Sequence, residues 1–398
     1  GIKDLMLTKG WPTLRGSKAI DPKSQKWDED APAVARLREA GAVFLGKTTT
    51  PELGWKGITD SPLTGITRNP WNPAMTPGGS SGGSAVALAT GMGALMTASD
   101  GGGSIRMPGA FTGIFGLKPS FGRVPAYPLS PFGTLSHVGP MARTVGDAAL
   151  MLTVMAQPDH RDWYALPPDR ADYTKGLHRG VKGLKIAFSP TLGYATVEPD
   201  IMRECEAAVK AFEGMGHSVE LVEAPIDDTG QMWSRIGGCE TYAFIYDKIE
   251  DHRDEFGRSF LAGTETAAET GWDRYGRAQR KRAKLVQQLW HYFENYDLLL
   301  TPTLPIEAID ARGTWPQYIA GKHLENPLHV VAFTYPFNLS GHPASSVRAG
   351  FSDNGLPVGL QIVGPRHRDD LVLQASYAYE QARPWNDRWP VKVPEFVG

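Results

Sequence analysis

The sequence predicts an α/β fold in which a mixed, largely parallel β-sheet is covered by helices on both faces. One observation is the alternation of short apolar runs with amphipathic runs of helical period along most of the chain. Another is a βαβ pattern that begins at residue 183, where a strand, a helix and a second strand are expected in succession. A third is a pair of apolar runs on either side of residues 353–355 (DNG), which predicts an antiparallel hairpin.

The first half of the chain contains helices and strands in the order that such a sheet requires. Residues 32–51 predict an amphipathic helix, a glycine stop and a short buried strand. Residues 83–95 predict a helix of small residues, with Ser81 and Ser84 as its capping residues. The runs LMTAS and IFGLKPS are expected as strands, and residues 144–156 as a helix.

The second half contains the βαβ unit, which consists of LKIAFSP, DIMRECEAAVKAFEGMG and HSVELVE. Residues 273–296 predict a long charged helix that precedes the buried strand DLLLTPTLP. PASSVRAGF and LPVGLQIVG are the strands of the hairpin, and DDLVLQASYAYEQA predicts the last helix. Between the two halves, residues 157–176 are polar and rich in proline, which is typical of a surface loop within one domain.

The composition is that of a globular protein and excludes several functional classes. Hydrophobic residues make up 41% of the 398 residues and charged residues 21%. A net charge of −2 gives no electrostatic footprint for nucleic acid, and no apolar run is long enough to cross a membrane. The two cysteines, Cys205 and Cys239, exclude a disulfide framework and favour a reducing compartment, so we expect a cytoplasmic protein.

The length fits one large domain, and we expect a single domain over residues 1–398. The chain opens at Gly1 on GIKDLMLTKG, without Met, which is typical of the middle of a domain. We therefore expect a further segment upstream of residue 1. The sequence leaves a homodimer open.

Two glycine-serine clusters flank the predicted helix of small residues, GGSSGGSA at residues 78–85 and DGGGSIR at residues 100–106. Neither cluster has the spacing of a phosphate-binding loop, and the apolar run between them excludes a flexible linker. Residues 78–82 match G-x-S-x-G, but a nucleophile elbow needs a buried strand directly before it, and three prolines precede this one. Glycine at this density indicates a backbone that another group must approach closely.

The two clusters, together with FGLKPSFGRV after them, resemble the signature of the amidase signature family of serine hydrolases. Segments from residue 1 to about residue 380 are similar to segments of that family in the same order. They include GIKDLMLTKGWPT, LREAGAVFLGKTTTPELGW, TRNPWNP, LLLTPTLP, PFNLSGHPASSV and GLPVGLQIVG. The resemblance implies the α/β fold of this family and the hydrolysis of an amide to an acid and an amine.

The resemblance also implies a Ser-Ser-Lys triad. Ser80 and Ser104 stand 24 residues apart, which is the family's separation between the bridging serine and the nucleophile. This spacing selects Ser80 over Ser81 and gives Ser104 the role of nucleophile. Lys3, 77 residues before Ser80, matches the lysine of the family's first motif, whereas Lys47 belongs to another family segment. In the family, the peptide bond before the bridging serine is cis.

These residue types suit the chemistry, because an amide carbonyl is a poor electrophile and its attack by serine needs a base and a stabilised oxyanion. Ser80 can accept the proton of Ser104 while its own proton passes to Lys3. Lys3 must be neutral for this, so its pKa must lie well below the ordinary value of about 10.4. Around the oxyanion we expect the backbone N–H groups of Gly101, Gly102, Gly103 and Ser104.

Four other residues are expected to support the site without taking part in the proton relay. Asp100 and Arg106 flank the nucleophile and are expected to fix its loop by pairing with each other. Trp55 and Cys239 are expected to contact the substrate, because the corresponding family segments line the cleft, although Cys is more often a small buried hydrophobe. The ten histidines show no HExxH and no close pair, so we expect no metal, no other cofactor and no Ser-His-Asp triad.

We expect a stand-alone amidase that acts on a small-molecule amide. The form SDGGGS, with Gly101, resembles a subgroup that includes hydrolases of 6-aminohexanoate cyclic dimer. One alternative is the amidase-type subunit of a tRNA-dependent amidotransferase, which releases ammonia from glutamine for a partner protein. Another alternative is a catalytically silent binding relative.

Overall fold

The computed structural model describes residues 1–23, 25–168, 171–179, 181–223, 226–313 and 315–391. Its helices are α1 (Pro32–Glu39), α2 (Gly82–Ala89), α3 (Arg106–Thr112), α4 (Val145–Met155), α5 (Pro199–Gly214), α6 (Gly230–His252), α7 (Arg258–Ala268), α8 (Trp272–Phe293), α9 (Tyr335–Ser340) and α10 (Asp369–Ala382). Short 3₁₀-helices lie at Glu52–Gly54, Gly133–Leu135, Leu177–Arg179, Arg253–Glu255 and Pro327–Val331.

The strands belong to one large sheet and three small ones. The small sheets pair β1 (Ile2–Lys3) with β2 (Lys47–Thr48), β3 (Asp60–Ser61) with β4 (Gly65–Ile66), and β11 (Tyr318–Ile319) with β12 (Lys322–His323). The large sheet contains β5 (Leu95–Asp100), β6 (Phe115–Lys118), β7 (His137–Ala142), β8 (Lys185–Phe188), β9 (Ser218–Leu221), β10 (Leu298–Pro302), β13 (Ala344–Phe351) and β14 (Pro357–Val363).

The large sheet is mixed, with the strand order β5-β7-β6-β13-β14-β10-β8-β9, and this confirms the α/β prediction. The expectation that it is largely parallel is wrong. Strand β8 pairs in parallel with β9 and β10, whereas the five other pairings described are antiparallel. A parallel pair needs a long crossover, which α5 supplies between β8 and β9, but β13 and β14 form a tight hairpin at the centre of the sheet.

Helices cover both faces of this sheet, as the sequence predicts. Along β10, Leu298 and Leu300 pack in one apolar cluster with residues of α4, α5 and α10. Leu299, between them, packs in another cluster with residues of α6, α8 and α9. The alternation arises because successive side chains of a strand point to opposite faces. All three side chains are fully buried, so the sheet carries an apolar layer on each side.

Most of the expected helices and strands are present, and two of them differ in extent. Helix α2 is shorter than expected, because it ends at Ala89 and Gly91 then takes a left-handed conformation with φ of +75°. The strand expected after α1 is short and not buried. Its pairing begins only at Lys47, and Val43 and Leu45 before it are exposed.

Helices α6 and α7 were not predicted from the sequence, although α8 was. The apolar residues of α6 are distributed around its circumference, so the sequence shows no amphipathic period there. Such a helix is stabilised by packing on several sides, and α6 packs against both α7 and α8. Among the residues described, no helix has the length and apolar character of a membrane span.

The fold places three distant segments at the same end of β5. Strand β1 pairs in parallel with β2, and the Lys3 N–H donates to Thr97 Oγ1 on β5 at 2.9 Å. Strand β5 ends at Asp100, where the second glycine-serine cluster begins, and the first cluster lies at the start of α2. The first residues of the chain and the two clusters therefore meet there.

Candidate active site

The two glycine-serine clusters contact each other through their backbones. The Ser81 N–H donates to the Ser104 carbonyl oxygen at 3.3 Å. The Gly79–Ser80 peptide bond is cis, as the family resemblance implies. Residue 79 must be glycine in this packing, because a Cβ there would lie 2.8 Å from the backbone of Ile58. The first cluster therefore passes through a gap that only bare backbone fits.

The Lys3 amine lies in the middle of this arrangement and is completely buried. Its Nζ is 2.8 Å from Ser80 Oγ, 2.8 Å from Ser81 Oγ and 3.0 Å from Ser99 Oγ. The Ser81 hydroxyl donates to the Ser99 carbonyl oxygen at 3.2 Å, so towards Lys3 it acts as an acceptor. Ser80 has no such second acceptor among the residues described, and its proton is therefore free to point at the lone pair of a neutral Lys3.

Burial lowers the pKa of Lys3 to about 7, and the attraction of Asp100 offsets only part of that effect. The groups bonded to Nζ are serine hydroxyls and one carbonyl, none of which carries a charge. These groups can hydrogen-bond to a neutral amine, but they do not compensate for the hydration that a buried ammonium ion would lose. Lys3 is therefore poised to exchange a proton near neutral pH.

Ser104 lies two residues before α3 and lines a cavity with a volume of about 730 Å³. In the structure as described, the Ser104 hydroxyl forms no hydrogen bond with Ser80 Oγ. Catalytic hydrogen bonds are often long in the absence of substrate and tighten in the bound complex. The Lys3–Ser80 half of the predicted triad is thus formed, and the Ser80–Ser104 half is only adjacent.

The carbonyl oxygens of the loop from Asp100 to Gly103 are each held by a donor outside the loop. Asn338 Nδ2 donates to Asp100 O at 2.8 Å, Trp233 Nε1 to Gly101 O at 2.7 Å, and Thr334 Oγ1 to Gly102 O at 2.6 Å. The carbonyl oxygen of Gly103 accepts from the first turn of α3, through Met107 N at 2.7 Å. The peptide units of this loop are therefore fixed in orientation.

The four backbone N–H groups expected around an oxyanion are not equivalent. The Gly103 N–H donates to Asp100 Oδ1 at 2.6 Å and is occupied. Within the described ranges, the N–H groups of Gly101, Gly102 and Ser104 have no acceptor. These three remain available to a ligand, and the sequence could not distinguish them from Gly103.

The Asp100–Arg106 ion pair confirms that these two residues fix the loop by pairing. Both side chains are fully buried, with Arg106 Nη2 at 2.9 Å from Asp100 Oδ1 and Nε at 3.0 Å from Oδ2. Burial alone would raise the pKa of Asp100, but the charge and hydrogen bonds of Arg106 outweigh it and hold the pKa below its ordinary range. Arg106 also donates to Asn338 Oδ1 and Gln361 Oε1, which ties the loop to α9 and β14.

Lys47, the lysine rejected on spacing, lies elsewhere. Its Nζ donates to the carbonyl oxygen of Met6 at 2.7 Å and to Thr13 Oγ1 at 2.9 Å, and it pairs with Asp4 at 3.5 Å. Burial lowers its pKa to about 8, partly offset by Asp4. A lowered lysine pKa alone therefore does not distinguish Lys3 from Lys47, whereas the contact with Ser80 does.

The expectation that Ser81 and Ser84 cap α2 is wrong. Ser81 occupies the N-cap position, but its side chain makes no capping hydrogen bond. Its hydroxyl bonds to Lys3 and Ser99 instead. Ser84 Oγ donates to the Thr97 carbonyl oxygen at 3.0 Å and so joins α2 to β5. Ser99 was not anticipated, since it lies one residue before the second cluster and no spacing rule singles it out.

The wall of the cavity beside Ser104 is mainly apolar and aromatic. Trp55, expected there, is part of it. Cys239 is not among the lining residues described, because Gly238 and Thr241 of α6 face the cavity and position 239 is turned away from them by the helical rotation. The sequence also missed most of the aromatic and aliphatic wall, which consists of Met107, Phe132, Trp233, Trp315, Leu328, Val330 and Val331.

No group of three or more His, Cys, Asp or Glu side chains is arranged to hold a metal ion within the part of the chain that the structure describes. Burial raises the pKa of the Cys239 thiol, which makes it a poor nucleophile at neutral pH. The reactive groups that the structure brings together here are serine hydroxyls and Lys3.

Comparison with known proteins identifies relatives over nearly the whole chain. The family model described as Amidase matches residues 1–373. Acylamidase of Rhodococcus erythropolis is 39% identical over 394 residues, covering 98% of this chain and 82% of that protein. A glutamyl-tRNA(Gln) amidotransferase subunit of Ligilactobacillus salivarius (strain UCC118) is 33% identical over 419 residues, covering 98% and 84%.

Solved structures show the same fold. A bacterial aryl acylamidase of the amidase signature enzymes matches with a TM-score of 0.90 and 33% identity, covering 97% of this chain and 82% of that one. The 6-aminohexanoate cyclic dimer hydrolase complexed with substrate matches with a TM-score of 0.87 and 29% identity, covering 98% and 85%. The fold expected from the sequence is confirmed, and the 6-aminohexanoate cyclic dimer hydrolase is among the structural neighbours.

We predict that Lys3→Met makes stability less dependent on pH. Between pH 7 and 10.5 the unfolded chain binds a proton at Lys3 that the folded chain does not, so wild-type stability rises with pH relative to the variant. The difference in free energy of unfolding should therefore change by about 1.4 kcal/mol per pH unit, with the variant's advantage greatest below pH 7. Urea unfolding at several pH values measures it.

Lys210→Met, on the exposed surface of α5, is the matched control and should leave the free energy of unfolding nearly unchanged at each pH. Parallel stability curves for wild type and Lys3→Met would mean that Lys3 is charged in the folded protein at neutral pH.

Proposed function

The chain belongs to the amidase signature family, and we propose that it hydrolyses carboxylic amides through a covalent acyl-enzyme on Ser104, with Ser80 and Lys3 as its proton relay. The observation that carries the proposal is the buried Lys3 amine at 2.8 Å from Ser80 Oγ, next to a cavity that Ser104 lines. Because its pKa is about 7, a large fraction of this amine is unprotonated at neutral pH and can act as a base.

The acylation step follows from these positions. Lys3 Nζ takes the hydroxyl proton of Ser80, Ser80 takes the proton of Ser104, and Ser104 Oγ forms a bond to the amide carbon. The carbonyl π electrons move to oxygen, and free N–H groups of Gly101, Gly102 and Ser104 stabilise that charge. When the C–N bond breaks, the proton returns through Ser80 to the departing nitrogen, and the amine leaves.

Deacylation uses the same groups in reverse roles. Water attacks the ester carbon of the acyl-enzyme while its proton passes to Ser80 and Lys3. The bond to Ser104 Oγ then breaks, Ser104 regains a proton, and the acid is released. Each proton taken up in one half of the cycle is given back in the same half, so the relay returns to its starting state.

We propose that the substrates are neutral amides with an aromatic or aliphatic substituent. The cavity wall is lined by Trp55, Phe132, Trp233 and Trp315, and its volume of about 730 Å³ suits a ligand larger than acetamide. Similarity to an acylamidase and to an aryl acylamidase supports this choice. A cyclic amide is a further candidate, which the similarity to the 6-aminohexanoate cyclic dimer hydrolase supports.

Glutamine is the second candidate, and it too has support. Lys56, Arg235, Arg274 and Glu269 lie along the same cavity, and charges of both signs are what an α-carboxylate and an α-amino group would need. The amidotransferase subunit in the comparison is 33% identical. A silent relative is not favoured, since Lys3, Ser80 and Ser104 are all present at the site.

We also propose that residues 1–398 act as one domain in the cytoplasm. The large sheet takes strands from residue 95 to residue 363, and the first residues of the chain are hydrogen-bonded to its strand β5, which supports one domain. Cys205 and Cys239 are both free, which fits a reducing compartment. A homodimer stays a prediction from the sequence.

The first prediction concerns the nucleophile. A fluorophosphonate should add its mass to the peptide that contains Ser104, and Ser104→Ala should abolish that adduct because no other serine in the described ranges has both the relay and free N–H donors beside it. Intact-protein and peptide mass spectrometry measure this. Ser234→Ala removes another serine of the cavity wall and should keep the labelling. An adduct on Ser80 or Cys239 would refute the assignment.

The second prediction concerns the base. For the wild type, kcat/KM should fall about tenfold per pH unit below pH 7, since Lys3 must be neutral in the free enzyme. Lys3→Ala should lower the acylation rate by about 1000-fold or more, whereas Lys47→Ala should stay within about tenfold of wild type. Stopped-flow acylation with a chromogenic anilide across pH distinguishes them, and the reverse order of effects would show that Lys47 is the base.

The third prediction concerns the substrate. With purified protein, release of nitroaniline from short-chain acyl p-nitroanilides should exceed release of ammonia from glutamine by about 100-fold in kcat/KM, because only the former buries an aromatic ring against the cavity wall. A panel of aliphatic, aromatic and cyclic amides defines the preference. Hydrolysis of glutamine alone, or only with a partner protein and charged tRNA, would favour the amidotransferase function.

A further inference from the structure

We infer that Trp233 is a positioning residue for the oxyanion site: its indole N–H fixes the Gly101 carbonyl and thereby directs the Gly102 N–H into the cavity. The inference rests on the proposed function, because an oxyanion arises only if Ser104 attacks a carbonyl. Its physical basis is the hydrogen bond from Trp233 Nε1 to Gly101 O, at 2.7 Å.

The geometry of the peptide unit links these two groups. In a trans peptide, the carbonyl of one residue and the N–H of the next point in opposite directions from the same rigid plane. Whatever holds Gly101 O therefore also sets the direction of the Gly102 N–H. Glycine has no intrinsic preference strong enough to do this, since it populates both halves of φ space about equally. The direction must come from a partner outside the loop.

The other peptide units of the loop differ from this one. In the unit between Gly102 and Gly103 both ends are engaged, with Thr334 on the carbonyl and Asp100 on the N–H. In the unit between Asp100 and Gly101 the carbonyl is held by Asn338, which is fully buried. The unit held by Trp233 combines a free N–H with an anchor that is itself part of the cavity wall.

Trp233 is packed closely enough to act in this way. A Cβ on Gly102 would lie 2.5 Å from its ring, so the indole lies directly against the bare backbone of residue 102. The ring stacks on Tyr335, with centroids 6.1 Å apart and planes at 26°. Tyr335 in turn donates to Asp228 Oδ1, which also accepts the Gly230 N–H at the start of α6.

This chain of contacts has a consequence for catalysis. Helix α6 carries Trp233, and the same helix contributes Gly237, Gly238 and Thr241 to the cavity wall. A substituent that packs against α6 therefore touches the element that orients the Gly102 N–H. Loss of the indole N–H should weaken stabilisation of the oxyanion and leave binding of the uncharged substrate nearly unchanged.

The test compares a probe that develops the oxyanion with one that cannot. A trifluoromethyl ketone carrying the acyl chain of a substrate forms a hemiketal: Ser104 Oγ bonds to the ketone carbon, its proton passes to the relay, and the former carbonyl oxygen becomes the anion. The matching trifluoromethyl carbinol has the same shape but no electrophilic carbon. Inhibition constants for both, together with kcat and KM for a p-nitroanilide, are measured for each variant.

For Trp233→Phe we expect kcat to fall about 10- to 100-fold with KM within about twofold, and ketone affinity to fall by the same factor as kcat/KM. Carbinol affinity should stay within about twofold. Replacement of Trp233 by β-(3-benzothienyl)alanine keeps the bicyclic shape of the side chain but has sulfur in place of the N–H. This variant should give the same pattern, even if Trp233→Phe disturbs folding. Thermal unfolding of each variant reports whether the fold is retained.

Trp315→Phe is the matched control, since Trp315 lines the same cavity but holds no loop carbonyl. It should change KM and the affinities of ketone and carbinol alike, with little change in kcat. Equal losses for both probes in the Trp233 variants, or unchanged kcat and ketone affinity, would overturn the inference. If wild-type Ser104 still takes up a fluorophosphonate in that case, the proposed function stands and only the role of Trp233 falls.

Discussion

The structure at this site depends on the cost of burying an amine among uncharged groups. Lys3 is fully enclosed, and its Nζ contacts three serine hydroxyls and a carbonyl oxygen. An ammonium ion in that place would lose its hydration without gaining a carboxylate at hydrogen-bonding distance. Its pKa of about 7 is the measure of that loss. The glycines around it have a separate cause, because a Cβ at residue 79 would lie 2.8 Å from the backbone of Ile58 and one at residue 102 would lie 2.5 Å from the ring of Trp233.

The buried charges of Asp100 and Arg106, near Lys3, pair with each other and hold the loop in place. The Asp100 carboxylate is neutralised by Arg106, and through Gln361 and Asn338 the pair is anchored to the strand and helix behind the loop. A buried ion pair of this kind is weak evidence for stability, because desolvation offsets much of the attraction. Its value here is geometric. It holds the loop between β5 and α3 in a shape where carbonyls point to the scaffold and three N–H groups remain free.

Local patterns explain how far the sequence could be read. The hairpin β13–β14 and the βαβ unit follow from periodicity and turn residues, and the Ser80–Ser104 spacing is contained in the family resemblance. The parallel character of the sheet was overestimated, because the order of strands in space is decided by packing between residues far apart in sequence. Helix α6 was missed since its apolar residues show no single face. Trp233 was missed for the same reason.

Other details depend on long-range contacts that no single segment contains. Ser81 was expected to cap a helix, but its hydroxyl accepts a hydrogen bond from the buried amine of Lys3 instead. Lys3 is distant in sequence, so no pattern around residue 81 shows this contact. Cys239 was expected at the cavity, but the rotation of α6 turns it away while its neighbour Gly238 faces inward. The sequence does not show that the Gly103 N–H is occupied while the Gly102 N–H is free, because this depends on the position of the Asp100 carboxylate in the folded chain.

The central claim is that Lys3 is neutral at the pH where the enzyme works, and direct titration tests it. With lysine labelled at Cε with ¹³C, the resonance absent from the spectrum of Lys3→Met identifies the residue, and its shift can be followed across pH in the intact protein. We predict a midpoint near pH 7. A midpoint near 10.5, the value of an ordinary lysine, would contradict the account, because an ammonium ion cannot accept the proton of Ser80.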